Sequence, residues 1–395
     1  MNKVMFHAPV KLMSLPIAVL LILASALANT SSIPKQTEHQ PALSDQLHGG
    51  IEIGSKGVKA IALRIAGDGE DYTLKILYSE IINTTLMQTQ DDKFTPEAIR
   101  ETANAVQRFF QRMQQEYHVP ADHIHIVISS GVVGKNPQDV STEIAKRTGQ
   151  TPPFLEVDTE VQLTVAGAIP KRYKSGRVWY DNRGISVLID VGSGNTKGGY
   201  QQIRQTSLGN AGYDYVTWGI NKGTVSYTNE VNKVAGEAAD YPAFAKSSQA
   251  LSETLLRSPL RYEAARKPGL LNRRKVYLTG GIVWAMATLL YPQDRRTFTP
   301  LTVNDINNFY IRAVANPDAL LAPDLSRITK TDIREEAERE IESVRNTFTP
   351  KNLIAGAEIL RAVAEEMKLT GKRLQFVRYG HLAWILSYVR LQAEK

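Results

Sequence analysis

Two nine-residue stretches carry a carboxylate two residues ahead of a Gly-Ser step and close on a lysine: IEIGSKGVK at 51–59 and IDVGSGNTK at 189–197. Laid over one another, Ile, Gly, Ser and the final Lys coincide, Glu52 stands on Asp190, and Ile53 stands on Val191. Val187, Leu188 and Ile189 lead into Asp190, and Ile51 alone into Glu52, which reads as the end of a buried strand, where a charge must be paired or must ligate something, more strongly for Asp190 than for Glu52. The small residues that follow let backbone N–H groups approach an anion closely. Gly54 and Ser55 in the first copy, with Gly192, Ser193, Gly194, Asn195 and Thr196 in the second, therefore form a candidate phosphate cradle. The hydroxyls of Ser55, Ser193 and Thr196 add donors, and Lys59 and Lys197 can reach the same anion. Glu52 and Asp190 can hold a hard cation through water, as Mg2+ prefers. Two such hairpins facing each other across a cleft would grip a phosphate chain from both sides. Gly280 and Gly281, in KVYLTGGIVWAMATLL (275–290), close a strand and open an apolar helix, an arrangement that suits an anion or nucleotide and equally suits plain packing glycines.

The elements that must position these residues follow the same duplication. The spacing predicts two strands joined by a tight turn across 50–67, a third strand over YTLKILYSEII, and a helix over TPEAIRETANAVQRFFQRMQQEYHV. Thr95 can cap that helix, Pro96 suits its first position, and Ile99, Ala103, Val106, Phe110 and Met113 make its apolar stripe. HIHIVISSG reads as a strand, FLEV as a short one, and DTEVQLTVAGAI as a helix. The second half restarts with ISVLIDVG and becomes mostly helical after Leu301, including TPKNLIAGAEILRAVAEEMKL. Strands alternating with helices in both halves predict an α/β fold.

The chain has 395 residues, long enough for two domains, and a formal net charge of +7, which suits an anionic ligand without requiring one. It has no cysteine, which excludes disulfides, thiolate metal sites and a cysteine nucleophile. Residues 1–28 read as a signal peptide: Lys3 and Lys11 precede the apolar PIAVLLILASALA, which ends in Ala-Leu-Ala. The apolar run is shorter than the roughly 20 residues a membrane span needs, and an uncleaved anchor is the alternative reading. Residues 29–48 read as a linker, and the expected location is periplasmic or secreted. The basic clusters KRYKSGR (171–177) and LNRRK (271–275) would suit a long polyanion but read more simply as solvated loops. The histidines show no metal spacing, and His123 and His125 share one strand face as structural residues. Nothing resembles a nucleic-acid module.

The two hairpins, together with the order of the segments between them, resemble the exopolyphosphatase and guanosine-pentaphosphate phosphatase (Ppx/GppA) family of the actin-like superfold. GIEIGSKGVKAIAL and LIDVGSGNTKGGY stand where that family has its two phosphate loops. FTPEAIRETANAVQRFFQRM, VTWGINKGTVSYTNEV, VYLTGGIVWAMATLL, NLIAGAEILRAVAEEM and LQFVRYGHLAWIL are similar to its later segments. FLEVDTEVQLTVAGAI resembles the segment that carries the family's catalytic glutamate, which puts the general-base role on Glu160. The resemblance implies duplicated actin-like (ribonuclease H-like) domains at 49–170 and 171–395, the second with a helical C-terminal part, and a phosphate-binding cleft between them. It implies a phosphohydrolase that releases terminal phosphate from polyphosphate or a similar polyphosphorylated anion with Mg2+. The alternative is a binding protein that has lost turnover. It leaves room for a homodimer. An actin-like ATPase is a third class, disfavoured by the export signal. The chain departs from the family at several places: Glu52 for aspartate, Ser193 for glycine, Asn195 for serine, Lys197 for glutamate, and Ile282 for threonine. In ISSGVVGKN, Val133 sits near the place of a family arginine, and only Lys135 could compensate.

Overall fold

The duplicated hairpin starts each of two sheets. The computed structural model describes residues 43–54, 57–67, 73–86, 89–90, 93–132, 136–175, 178–205 and 211–394. The expected signal peptide, most of the expected linker, Ser55, Val133 and Lys135 lie outside them. In chain order the strands are β1 (Leu43–Gly54), β2 (Gly57–Gly67), β3 (Thr73–Asn83), the short pair β4 (Thr89–Gln90) and β5 (Lys93–Phe94), β6 (Ile124–Ile128), the small hairpin β7 (Arg172–Ser175) and β8 (Val178–Asp181), β9 (Ser186–Val191), β10 (Thr196–Gln205), β11 (Ala211–Ile220), β12 (Lys275–Thr279), β13 (Phe298–Leu301) and β14 (Arg373–Val377). The first four helices are α1 (Pro96–Gln115), α2 (Pro137–Thr148), α3 (Val157–Ala168) and α4 (Thr224–Ala235); later helices are given by their ranges.

The first sheet has the order β3-β2-β1-β6 and the second β11-β10-β9-β12-β14-β13. In both, three antiparallel strands are followed by a strand parallel to the first: β6 beside β1, and β12 beside β9. The same order and the same senses twice make this a duplicated actin-like α/β fold. FLEV forms only an isolated bridge, Phe154 to Ile128, so the first sheet ends two strands short of the second.

Local signals explain the elements. The Thr95 hydroxyl accepts from Ala98 N at 3.2 Å, Pro96 opens α1, and its apolar stripe is buried. The central strand β9 is apolar until Asp190 because both its faces are covered. Val187, Ile189 and Val191 join the main core of the second half, together with Ile282 and Leu353, while Leu188 faces Val161 and Val165 of α3.

Helix Ala383–Ala393 falls within 171–395 yet packs on the first sheet. Trp384, Ile385 and Val389 join Ile61, Leu63 and Ile65 of β2 and Leu163 of α3 in one cluster. At the crossing with α3 a Cβ on Gly167 would stand 2.1 Å from the Ala383 carbonyl oxygen, so only glycine permits the approach. This helix and α3 thus lie between the sheets. β1 also begins at Leu43, inside the span read as a linker, because pairing with β2 from Leu43 onward gives its polar residues a partner strand. His123 Nδ1 lies 3.1 Å from the Leu47 carbonyl, and its ring stacks 4.7 Å from that of buried His48, a structural role as expected. The second basic cluster is built into the fold: Arg273 donates to the Gln201 carbonyl at 2.6 Å and lies over the Tyr200 ring, and buried Lys275 donates to Asn182 Oδ1 at 3.1 Å. Among the described residues no helix is long and apolar enough to cross a membrane.

Candidate active site

Each hairpin brings its acid and its lysine into register. Glu52 on β1 faces Lys59 on β2, and Asp190 on β9 faces Lys197 on β10. Neighbours on a ladder share a face at close range, so each jaw carries one carboxylate and one ammonium at the strand ends. The first pair closes on itself: Lys59 Nζ donates to Glu52 Oε1 at 2.9 Å and Oε2 at 3.1 Å, and it lies 3.4 Å from the His381 carbonyl. The second pair opens, because Lys197 Nζ turns to Glu160 Oε1 at 2.5 Å.

Glu160 sits in the first turn of α3 and is 4% exposed, too buried for an ordinary helix-start acid. Its other oxygen accepts from Ser129 Oγ at 3.0 Å and from the Ser130 backbone N–H at 2.8 Å, both just past the end of β6. Burial alone would raise the Glu160 carboxyl; the Lys197 ammonium and the hydrogen bonds outweigh it and hold the group below the ordinary carboxylate value. Burial pushes Asp190 up, with Lys197 opposing and Glu160 reinforcing the rise. Lys59 is held charged above its usual value: burial works against that, and Glu52, Glu160 and Asp190 overcome it. The first jaw therefore feels the charges of the second, and the five groups form one electrostatic cluster.

The second loop is anchored from behind. Gly192 O accepts from Thr224 N at 2.9 Å, and Ser193 O accepts from Val225 N at 2.8 Å and Ser226 N at 3.1 Å, at the start of α4. Because the peptide is planar and trans, N–H and C=O of one unit point opposite ways, so the Ser193 and Gly194 N–H groups are turned away from α4. Gly280 locks against the same loop with φ +99° and ψ 163°, a region open only to glycine. A Cβ there would lie 2.3 Å from Val191 O and 2.7 Å from Asp190 Oδ1.

The structure thus brings Glu52, Lys59, Glu160, Asp190, Lys197, the 192–195 loop and Gly280 together, with Gly54 next to Glu52 at the end of β1. Three sequence-based readings come out differently. The Thr196 hydroxyl is fully buried and donates to the Lys222 carbonyl at 2.8 Å, so it holds the loop instead of offering a donor to an anion. Gly281 is a packing position, where a Cβ would meet the Phe348 ring at 3.1 Å. Ile282 is fully buried against Gly356, which makes that family departure a core choice instead of a change in the cleft. Sequence reasoning missed Ser129 and Ser130 as the groups that orient Glu160. Their signal was a pair of small hydroxyl residues directly after a buried strand.

No family model matches the chain, and no curated protein matches it by sequence. Solved structures do. The Aquifex aeolicus Ppx/GppA enzyme is 16% identical, with 86% of this chain and 99% of that chain covered and a TM-score of 0.56. An exopolyphosphatase from Cytophaga hutchinsonii is 14% identical, with 87% and 98% covered and a TM-score of 0.56. An exopolyphosphatase-like protein is 16% identical, with 87% and 99% covered and a TM-score of 0.56. At these identities the likeness is one of fold, and it extends over most of each molecule. The chain has the fold of the Ppx/GppA exopolyphosphatase structures: duplicated actin-like halves, with the acids and lysines of both hairpins gathered between them.

Proposed function

We propose that the cleft binds the terminal phosphoryl groups of a polyphosphorylated anion and that the protein is an exopolyphosphatase-like phosphohydrolase. The observation that carries this reading is the convergence of Glu160 with both Gly-Ser hairpins in one buried cluster. In the reaction, water attacks the terminal phosphorus in line, the P–O bond to the bridging oxygen breaks, and the shortened chain leaves with that oxygen. Glu160 takes the proton of the attacking water, and the amides of the second loop with the two lysines offset charge on the transferred group. Ser129 and Ser130 aim the Glu160 carboxylate.

Mg2+ was expected on Glu52 and Asp190. As arranged, Glu52 is closed to a divalent ion, and Asp190 alone of the expected ligands is not taken by a lysine. Both Glu52 oxygens accept from Lys59, and both Glu160 oxygens are engaged. Among the described residues no three carboxylate or imidazole groups converge to hold a metal.

A second reading, binding without turnover, is favoured by one observation: the Lys197 ammonium sits on Glu160 and lowers its basicity. Phosphate release from polyphosphate, guanosine pentaphosphate and ATP, with and without Mg2+ and beside a binding measurement, separates the two. Release from polyphosphate supports the hydrolase, and saturable binding without release supports the second reading. No binding at all sinks both. We also propose export, which rests on the sequence of residues 1–28.

A further inference from the structure

The register pairs Glu52–Lys59 and Asp190–Lys197 recur at the same place in both halves, so a lysine belongs to each jaw by construction. Three carboxylates, Glu52, Glu160 and Asp190, feel one another's charge without sharing a metal-ligating point, and two ammoniums lie among them. Two ammoniums supply the +2 charge that one divalent cation would supply. The lysines also occupy both oxygens of Glu52 and Oε1 of Glu160, while Asp190 faces Lys197 only in register. A magnesium ion takes a near-octahedral set of oxygens at about 2.0–2.1 Å, waters and phosphates among them, but it still needs one or two carboxylates free to join the set. Here the Glu52 oxygens hold an ammonium at 2.9 and 3.1 Å, and Glu160 Oε1 holds another at 2.5 Å. Stability gives no reason for this arrangement, since buried ion pairs rarely outperform apolar packing of similar volume. An ammonium differs from a metal in a useful respect: its three donors have no fixed geometry, so it can be shared between a carboxylate and a phosphate oxygen. The Lys59 side chain is 25% exposed and thus open to an incoming anion, while Lys197, 7% exposed, lies deeper beside Glu160.

We infer that Lys59 and Lys197 take the place of a divalent cation in this cleft, so that the phosphorylated anion is held without metal. The inference rests on the cleft being the anion site proposed above. Lys197 ties the two roles together, because the amine that neutralises the bound anion is also the one that holds Glu160.

The test is calorimetric binding of inorganic tripolyphosphate to the full chain in EDTA and in Mg2+, with complexation of the probe by Mg2+ accounted for. The wild type is expected to bind with Kd values that agree within about threefold in the two buffers, less than one tenfold step of affinity. Lys197→Glu restores a carboxylate at that position. It is expected to bind about 10- to 100-fold more weakly in EDTA, the worth of one charge-assisted hydrogen bond, and to recover when Mg2+ is added. Wild-type binding that collapses in EDTA and returns with Mg2+ overturns the inference and leaves the proposed anion site standing. Absence of tripolyphosphate binding in both buffers removes the anion site itself, and the inference with it. If Lys197→Glu fails to fold by circular dichroism, Lys59→Gln replaces it. A Lys59→Gln variant that binds as tightly as the wild type in EDTA counts against the inference.

Discussion

Replacing Glu160 by Gln tests the centre of the cluster in two ways at once. The amide keeps the size of the side chain and can still accept from Ser130 N and Ser129 Oγ, but it cannot take a proton from water and cannot neutralise Lys197. General-base assistance is worth about 10²–10⁴ in rate, so single-turnover phosphate release from polyphosphate should fall by at least that lower factor. The stability cost follows from the pair itself, whose side chains are 7% and 6% exposed. Removing one partner of a buried pair costs about 3–5 kcal/mol. Asp190 faces Lys197 in register and can take over part of the charge, so about 2–3 kcal/mol is expected here. With an m value of about 3 kcal/mol/M, the urea midpoint should drop by about 1 M. The pH dependence has a definite sign. The Glu160 carboxyl is depressed in the folded state, so its contribution is present above the ordinary carboxylate value and is lost as pH falls through the lower folded value. Glu160→Gln should lack that part of the acid limb in urea titrations between pH 7 and pH 3. Hydrolysis at the wild-type rate, with an unshifted midpoint and an unchanged acid limb, would refute both the base and the ion pair.

Three further outcomes are expected. Gly280→Ala forces a Cβ into Val191 O and Asp190 Oδ1 at a φ of +99°; thermal and urea unfolding should show a loss of about 3 kcal/mol or more, and a loss under about 0.5 kcal/mol would mean the loop is not locked there. Buried His48 has its pKa lowered to about 4, by burial first and then by His123 and His125, so its neutral form is favoured and stability is lost as pH falls from 6.5 toward 4. The full shift corresponds to about 3 kcal/mol, and urea curves of His48→Gln at pH 7 and pH 4.5 should show a smaller acid loss than the wild type. N-terminal sequencing of exported protein should begin at or near Asn29, and an intact Met1 on a membrane-bound species would exclude cleavage.

The hairpins were legible in the sequence because close backbone approach to an anion demands glycine at fixed places, and that demand leaves a repeat. The α/β order was legible for a similar reason, since buried strands and amphipathic helices have different periods. The lysine pairings were not legible. That Lys197 would leave its register partner Asp190 for Glu160 depends on how closely α3 approaches the second hairpin, a distance no local pattern encodes. Thr196 and Ile282 misled for the opposite reason. Their positions in the motif lie beside the cleft, but one hydroxyl turns back to Lys222 and one side chain turns into the core against Gly356. The polar start of β1 read as a linker because an edge-paired strand at a polar N-terminal approach has neither an apolar run nor a capping signal.

The return of helix Ala383–Ala393 to the first sheet has a consequence for how the chain folds. Ile61, Leu63 and Ile65 find Trp384, Ile385 and Val389 only across more than three hundred residues. Closing so long a loop costs entropy before any contact is gained, and non-local contacts of this kind slow folding. During synthesis, the face of β2 that carries Ile61, Leu63 and Ile65 has only Val127 and Leu163 beside it until the helix at 383–393 has emerged from the ribosome. The other face of the first sheet packs on α1 and α2 from within the first half, so it is this one face that closes last. A sheet face left open until the last helix arrives is also one that a chaperone can hold while synthesis is completed.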